Sequence, residues 1–507
     1  MTKDDVCLRK SLDSELFFVD NSEGALSIRY DIEEQEKGVD IVYTIQNNES
    51  TPQELPKLCI DGLVQNRDES LQGLDLKKQG DMQPLDPTRE FWYDHQYPNA
   101  YYSPIIATKD SESAIASSLL YPYLEYQHEV RLKLRYHTGG ERIGTFSHYY
   151  RDMTFDKFSE QGEVHATVNS GESRTYTLTL RFEEPQYWLY TLEPYKNYFE
   201  ATYGEERNPV PADLRPVRMV AMAGNNCLDP DENPRGYYQG RRIDVTGWGP
   251  FLDTLIPETQ TLGYERIMIW QASGLYNRIW LNYPPQLMSS WLPALLDSEH
   301  ELERVGNAGI SLGFWWGRAT QIPVGLDDEN WHPLSLEDAE YDNPDHIAFL
   351  TNELQLGVQR GTQEMGLDAF VYMPDYDRYQ WIDDMYQIAP DMKFIHEVHG
   401  PDFMHSKMAN FYWPRSTGEI QGPHVISWYL NGDQERWAYM RTNEGANFDF
   451  GQQLIRWGFT PLFSNIDLTG IDYKLAECID GQDNDNDGYV DWPEDPGCDC
   501  AGDVSEN

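Results

Sequence analysis

Two carboxylates are the clearest candidates for chemistry in this chain. Asp375 shares the face of Val371 and Met373 in an alternating run, and Glu397 ends the apolar run that starts at Lys393. One carboxyl group can attack as a nucleophile while a second, held protonated, donates a proton. Each also has a structural alternative: Asp375 or, preferably, Asp377 as a helix cap, and Glu397 as the partner of a nearby arginine.

Amides, tryptophans and further polar residues follow similar apolar runs along the chain, which contains 15 Trp, 33 Tyr and 19 Phe. Aromatic rings stack on the flat faces of sugars, whereas amides and carboxylates bind sugar hydroxyls. Two carboxyl groups flanking one bond complete the requirements for glycoside hydrolysis. The residues expected to bind a sugar are Asn225, Trp270, Gln271, Trp315, Trp316, Arg318, Asp377, His399, Trp428, Asp433 and Asn465.

We therefore expect a retaining displacement with Asp375 as the nucleophile and Glu397 as the general acid/base. Asp377, Asp433 and Glu419 are the substitutes if either assignment fails. Of the strand-end tryptophans, we expect about two of four to be exposed, since such residues also pack between a barrel and its helices.

The run His396-Glu397-Val398-His399 is not a metal site in this interpretation. Its spacing is one residue shorter than the His-Glu-x-x-His helix of zinc proteases, and neighbours on a strand point to opposite faces. We expect His399 to bind a hydroxyl, and we expect no metal in catalysis.

The segment Asp483–Glu494 matches a calcium loop. Its acidic oxygens fall at loop positions 1, 3 and 5, Gly488 supplies the turn at position 6, and Glu494 closes the loop at position 12. The alternative is a solvated acidic tail. The expected Ca²⁺ ligands are Asp483, Asp485, Asp487, Tyr489 (through its carbonyl), Asp491 and Glu494.

Periodicity indicates which elements position these residues. Up to about residue 205, alternation such as Tyr176–Phe182 is typical of an antiparallel β-sandwich. From Val217, short apolar runs alternate with helical patterns, which favours a (β/α)8 barrel over a doubly wound sheet. The predicted barrel strands are Val217–Ala223, Arg266–Gln271, Ile310–Trp316, Asp368–Met373, Lys393–Glu397, Asn410–Trp413, His424–Trp428 and Pro461–Asn465.

The predicted domains are a sandwich (1–207), a catalytic barrel (208–472) and a Cys-rich calcium tail (473–507). With 39 basic and 85 acidic residues, the formal net charge is −46, which disfavours nucleic acid and anionic membranes as partners. No apolar run is long enough to span a bilayer.

The N-terminus lacks the apolar core of a signal peptide, whereas Cys478, Cys498 and Cys500 crowd the tail. The cysteine pairing is open, and a bond between Cys478 and Cys498 would close the loop. The protein is therefore expected to be either cytosolic or one whose signal has been removed, and the cysteines favour the second, extracellular alternative.

This layout resembles retaining glycoside hydrolases of the alpha-glycosidase and alpha-galactosidase type, in which the Asp that ends strand four is the nucleophile. In Gly366–Asp375 that position would be Asp375. The alpha-amylase clan and the endo-alpha-N-acetylgalactosaminidases add a strand-five Glu as acid/base, which Glu397 matches. The amylases have an Arg two residues before the nucleophile, where this chain has Met373. The alpha-galactosidases have their acid after strand six, where the candidate in this chain is Glu419. The tail resembles the Asp-x-Asp-x-Asp-Gly repeats of secreted bacterial proteins.

The resemblance implies an extracellular glycoside hydrolase that cleaves an O-glycosidic bond of a poly- or oligosaccharide. A non-catalytic polysaccharide-binding protein is the alternative, and a lyase or transglycosylase is a third. Binding alone does not require two carboxylates at neighbouring strand ends. The sugar, its anomeric configuration and the oligomeric state stay open.

Overall fold

The computed structural model describes much of the predicted sandwich, of the predicted barrel and of the tail. The described residues are 6–10, 16–19, 25–66, 69–75, 81–86, 91–97, 103–126, 129–137, 143–153, 166–203, 213–221, 246–270, 293–327, 332–368, 370, 372–397, 410–413, 422–423, 425–430, 435–439, 448–463, 466–498, 503 and 505–506. No helix among them is long and apolar enough to cross a membrane.

The described residues up to position 203, together with a helix at Val425–Leu430, form one compact unit. Its other helices are Tyr123–Tyr126, the 3-10 helix Pro185–Leu192 and Glu193–Tyr203. Its strands are β1 Val6–Lys10, β2 Leu16–Val19, β3 Leu26–Gln35, β4 Gly38–Asn47, β5 Gln53–Glu54, β6 Leu58–Asn66, β7 Gln72–Asp75, β8 Asp81–Pro84, β9 Phe91–Tyr97, β10 Ile105–Lys109, β11 Ala114–Leu120, β12 Glu129–His137, β13 Ile143–Met153, β14 Thr167–Val168 and β15 Ser173–Glu183.

Two sheets face each other in this unit. One has the order β2-β1-β6-β13-β12-β9 and the other β3-β4-β15-β11-β10-β7-β8, while β5 pairs with β14. Tyr150 of β13 donates a hydrogen bond to the carbonyl of Ser117 in β11 at 2.7 Å, which joins the inner faces. In β15, Tyr176, Leu178 and Leu180 are buried, so the predicted alternation marks the face that packs in the core.

The second unit contains the later elements of the chain. Its strands are β16 Val217–Ala221, β17 Arg266–Trp270, β18 Ser311–Trp316, β19 Gln321–Asp327, β20 His332–Asp338, β21 Glu364–Leu367, β22 Lys393–Glu397, β23 Asn410–Trp413, β24 Arg436–Tyr439 and β25 Phe459–Phe463. Its helices are Trp248–Thr261, Pro293–Asp297, Glu303–Asn307, Pro344–Gln359, Asp375–Ile388 and Phe448–Arg456, with 3-10 turns at Glu299–Leu302 and Glu477–Ile479.

The parallel strands β16, β17, β18, β21, β22, β23, β24 and β25 pair in that order within the described residues, and β25 pairs back with β16. The sheet therefore closes on itself, while β19 and β20 form an antiparallel hairpin. The predicted mixed architecture, with antiparallel sheets followed by a parallel barrel, is confirmed.

Apolar side chains from alternate strand positions fill the middle of the barrel. The cluster contains Val217, Met268, Trp315, Ile395, Trp437 and Leu462, drawn from six strands. Because side chains alternate along a strand, this cluster identifies which residues of each strand point inwards.

A buried ionic network lies below this cluster, at the amino ends of the strands. The fully buried Arg266 donates to Glu364 at 2.7 Å and to Glu435 at 2.8 Å. Lys393 and the indole of Trp437 also donate to Glu435. Each buried charge thus has an oppositely charged partner, which is the condition under which ions are tolerated in an interior.

Two strand predictions are wrong. Strand four is Glu364–Leu367 rather than Asp368–Met373, because the polar Glu364 is paired inside the barrel with Arg266. Strand seven is Arg436–Tyr439, and the predicted segment His424–Trp428 instead overlaps the helix Val425–Leu430. A short apolar run of that kind fits a strand and a buried helix equally well.

Candidate active site at the carboxyl ends of the barrel strands

The end of strand four carries Asp368 rather than Asp375. Strand β21 ends at Leu367, and the amide of Asp368 still donates to the carbonyl of Trp316 at 2.9 Å, as a further ladder residue would. Asp375 is instead the first residue of the helix Asp375–Ile388. The prediction that Asp375 ends strand four is therefore wrong, and its side chain lies outside the described part of the chain.

Asp368 is held by two donors from the neighbouring strand end. The indole Nε1 of Trp315 donates to its Oδ1 at 3.1 Å, and the backbone N–H of Arg318 donates to its Oδ2 at 3.3 Å. The residue is only 8% exposed. The two hydrogen bonds, one to each oxygen, fix the orientation of this carboxyl group at the end of the strand.

Glu397 is the neighbour of Asp368 on the next strand. Leu367 pairs with His396 across β21 and β22, so Asp368 and Glu397 follow as the next positions on each strand. Glu397 is two residues beyond Ile395 of the interior cluster, and it is half-buried. Both residues therefore occupy inward positions on strands that lie about 4.8 Å apart.

The indole of Trp315 depends on a glycine across the strand. A Cβ on Gly366 would lie 2.0 Å from Cε3 of Trp315, so only glycine leaves room for this ring. The half-buried ring of Trp270 stacks on Trp315 with centroids 4.0 Å apart and planes at 13°. The buried ring of Trp315 thus connects Asp368 to Trp270, whose ring keeps some exposed surface at the strand ends.

The other tryptophans differ in their placement. Trp316 is fully buried, because its position alternates with that of Trp315 and points away from the barrel interior. Trp428 is half-buried in the helix Val425–Leu430, which belongs to the first unit. Trp270 and Trp428 are thus the two of the four that retain exposed surface, while Trp315 and Trp316 are buried.

Asp377 is the third residue of its helix rather than the cap. Pro374 holds the cap position, since the helix begins at Asp375, earlier than predicted. Burial, followed by the charge of Asp342, raises the pKa of Asp377 to about 6. Arg318, with φ of 54°, places its guanidinium 5.5 Å from the ring centroid of Tyr372 and donates to Gln321.

Several predicted site residues lie outside the described residues, and their roles stay predictions. They are Asn225, Gln271, His399, Asp433 and Asn465, together with the substitute Glu419. Asp368 was missed because it was assigned to the start of strand four. Its position directly after Gly366-Leu367 is the sequence pattern that could have identified Asp368 as the residue ending strand four.

The tail loop brings three of the six predicted metal ligands together. Carboxylate oxygens of Asp483, Asp485 and Asp487 all lie within 4.8 Å of one another. Asp483 accepts from the N–H of Gly488 at 3.1 Å, and Gly488 has φ of 102°, as the expected turn requires. The Cys478–Cys498 disulfide brackets the loop, which confirms that suggested pairing.

The other two predicted carboxylate ligands, Asp491 and Glu494, are not members of this group. Asp491 accepts from the N–H of Gly481 at 2.9 Å, a contact that spacing within the loop could not reveal. Glu494 and the side chain of Tyr489 are exposed. Three of the five predicted carboxylate ligands are therefore grouped in this structure, and the carbonyl of Tyr489 stays a prediction.

A cavity of about 670 Å³ lies at the opposite end of the barrel. Its lining includes Ser311, Glu364 and Lys393, the first residues of three strands. Catalytic groups of such barrels stand at the carboxyl ends of the strands, so we assign the site to Asp368 and Glu397 rather than to this cavity.

No protein-family model matches the chain, and no curated protein matches it either. Among solved structures, the galactosidase domain of alpha-galactosidase-sucrose kinase AgaSK is 11% identical, with a TM-score of 0.49, over 89% of this chain and 64% of that one. The GH36 alpha-galactosidase AgaB from Geobacillus stearothermophilus is 10% identical, with a TM-score of 0.47, over 90% and 66%. TtGalA, an alpha-galactosidase from Thermus thermophilus, is 11% identical, with a TM-score of 0.39, over 80% and 76%.

This chain thus spans less than two thirds of the AgaSK galactosidase domain. Similarity at this distance does not establish what the chain binds or cleaves.

Proposed function

We propose that the protein is a glycoside hydrolase that cleaves O-glycosidic bonds with retention of configuration. Asp368 is the nucleophile and Glu397 the general acid/base. The observation that carries the proposal is their placement as inward-facing neighbours at the carboxyl ends of β21 and β22. Retaining enzymes need carboxyl groups about 5–5.5 Å apart, a separation within reach of side chains on strands that lie about 4.8 Å apart.

The reaction takes place in two displacements. A carboxylate oxygen of Asp368 bonds to the anomeric carbon, while the proton of Glu397 passes to the departing glycosidic oxygen. Glu397, now ionised, then takes a proton from water, whose oxygen bonds to the anomeric carbon and releases Asp368. The indole of Trp315 and the N–H of Arg318 hold Asp368 in its attacking orientation.

The half-buried Trp270 is the sugar platform in this proposal. Its ring is fixed by stacking on Trp315, so binding a sugar does not require it to be ordered first. A stacking contact of this kind contributes about 0.5–1.5 kcal/mol beyond burial.

A panel of plant, microbial and marine oligo- and polysaccharides, including alpha-galactosides, tests the activity through release of reducing ends. We expect wild type to cleave at least one substrate, Asp368→Asn to abolish turnover and Glu397→Gln to slow substrates with poor leaving groups most. Asp375→Asn is the matched control, because the same chemical change is made seven residues away. If Asp368→Asn retains activity while Asp375→Asn loses it, the assignment of the nucleophile is wrong.

A non-catalytic polysaccharide-binding protein is the alternative function. The half-buried ring of Trp270, which stacks on Trp315, suits a binding protein equally well, but binding alone gives no role to a carboxylate pair. Affinity electrophoresis separates the two: binding of a glycan without any cleavage, unchanged in Asp368→Asn, supports the alternative.

We also propose that the tail binds one structural Ca²⁺ through Asp483, Asp485 and Asp487, with Tyr489, Asp491 and Glu494 completing the set on binding. The three grouped carboxylates would repel one another without a cation. Calcium should raise the melting temperature of wild type and have less effect on Asp487→Asn. The disulfide and the calcium loop together favour an extracellular location.

A further inference from the structure

Two carboxylates at the end of the chain are buried against each other. Asp495 is 2% exposed and Glu506 is fully buried, and carboxylate oxygens of the two lie within 4.8 Å. Oδ2 of Asp495 and Oε1 of Glu506 are both buried without a hydrogen-bond partner among the described residues. Buried polar atoms are nearly always satisfied, so these two oxygens require an explanation.

Their remaining oxygens are already used. Oδ1 of Asp495 accepts from the N–H of Gly497 at 2.6 Å, and Oε2 of Glu506 accepts from the N–H of Asn484. These bonds fix the orientation of both carboxyl groups. The two unsatisfied oxygens are therefore held in position, because the other oxygen of each carboxyl group is hydrogen-bonded.

The tail segment that contains this pair carries no cationic side chain of its own. Residues 478–507 contain ten Asp and Glu but no Lys or Arg. Cys498 is the third member of the group, but its sulfur is bonded to Cys478 and is not a thiolate ligand. Two adjacent buried carboxylates of like charge are unfavourable unless a cation or a proton is shared between them.

We propose that Asp495 and Glu506 bind a second divalent cation, separate from the one in the loop 483–494. Carboxylate oxygens are the ligands that Ca²⁺ prefers, and Ca²⁺ accepts irregular sets completed by backbone carbonyls or water. This inference does not depend on the glycosidase proposal.

The second cation fastens the C-terminal segment to the calcium loop. Glu506 bonds the loop through Asn484, and its own backbone carbonyl approaches Gly497 so closely that a Cβ there would lie 1.8 Å from it. A cation bound by Asp495 and Glu506 would hold Glu506 in place, and Glu506 in turn supports the loop 483–494 through Asn484. The two cations should therefore bind cooperatively.

Calcium bound per chain tests the proposal. Calcium-stripped full-length protein is dialysed to equilibrium against Ca²⁺, and the bound ion is counted by atomic absorption. We expect Glu506→Gln, which keeps the acceptor for Asn484, and Asp487→Asn in the loop each to bind one ion fewer than wild type. The double variant should bind two fewer. Asp472→Asn is the charge control, because the hydrogen bonds of Asp472 to the described residues are made by its backbone.

An unchanged calcium count in Glu506→Gln overturns the proposal. So does a double variant that loses no more than either single variant, since one shared site would then explain both losses. If the carboxyl groups share a proton instead, Glu506→Gln keeps the count and raises the melting temperature of metal-free protein. Asp495→Asn is the second variant if Glu506→Gln does not fold. If Asp487→Asn binds as many calcium ions as wild type while Glu506→Gln binds one fewer, the proposal of a cation in the loop 483–494 fails and the proposal of a cation at Asp495 and Glu506 stands.

Discussion

The buried arginine at the base of the barrel allows a quantitative test of the fold. In Arg266→Met, Glu364 loses the Nε donor at 2.7 Å and Glu435 loses the NH2 donor at 2.8 Å. The carbonyl of Asp213 also loses the bond from NH1 at 2.7 Å. Both glutamates are at most 4% exposed as side chains, so water cannot replace the guanidinium.

Removing one partner of a buried ion pair costs about 3–5 kcal/mol, because the other charge is left uncompensated. Glu435 keeps its hydrogen bonds from Lys393, Trp437 and the N–H of Asp213. Among the described residues, the one hydrogen bond left to Glu364 is a long contact of 3.4 Å from Ser311. We therefore expect most of the cost to arise at Glu364. The double variant Arg266→Met/Glu364→Gln should recover about 1–2 kcal/mol of it, as removal of both charges is tolerated better than removal of one.

Urea unfolding followed by tryptophan fluorescence measures these free energies, with Arg304→Met as the control because Arg304 is a partly exposed ion-pair residue. Exposed pairs contribute about 0–1 kcal/mol, so the control should unfold close to wild type. A loss of under about 1 kcal/mol in Arg266→Met, or no recovery in the double variant, would refute the view that this network stabilises the barrel.

Three further outcomes are expected. Gly366→Ala should destabilise the protein by about 1–3 kcal/mol or more in urea unfolding, because its Cβ would overlap the Trp315 ring; an unchanged midpoint contradicts this. Trp315→Phe removes the indole donor to Asp368 and should lower kcat/KM about 10- to 100-fold, as a bond to a charged group contributes about 1.5–3 kcal/mol; a wild-type rate argues against the contact. The raised pKa of Asp377, about 6 in the folded protein, means that the native state binds the proton more tightly, so stability falls as pH rises from about 4 to 6. After discounting for its partial exposure the fall is about 1 kcal/mol, and it should shrink in Asp342→Asn as measured by urea unfolding at both pH values.

The sequence predicts elements well where local pattern and burial agree. Strands Lys393–Glu397 and Asn410–Trp413 have the predicted bounds, and the alternation of 176–182 lies within β15. In the helix Pro344–Gln359, the local pattern and burial also agree: Leu350 and Leu354, four residues apart, are fully buried, and Asn343 caps the first turn by accepting from the N–H of Asp345.

Long-range pairing explains the failures. Glu364 lies in a strand because Arg266, almost a hundred residues away, neutralises it, and no local pattern shows that. The shift of strand four moved the strand-end carboxylate from Asp375 to Asp368. In the tail, Asp491 accepts a hydrogen bond from the N–H of Gly481, and Glu506 accepts one from the N–H of Asn484. The types of residue at the site were thus predictable, but the identity of one member depended on the exact end of a strand.

Trapping the covalent intermediate tests the central claim most directly. An activated fluoroglycoside of whichever sugar the substrate panel identifies forms the glycosyl-enzyme quickly and hydrolyses slowly, so the labelled residue can be located by peptide mass mapping. We expect one fluoroglycosyl group per chain, attached to Asp368. A label on Asp375 or on any other residue, or turnover of the reagent with no covalent label, would contradict the account.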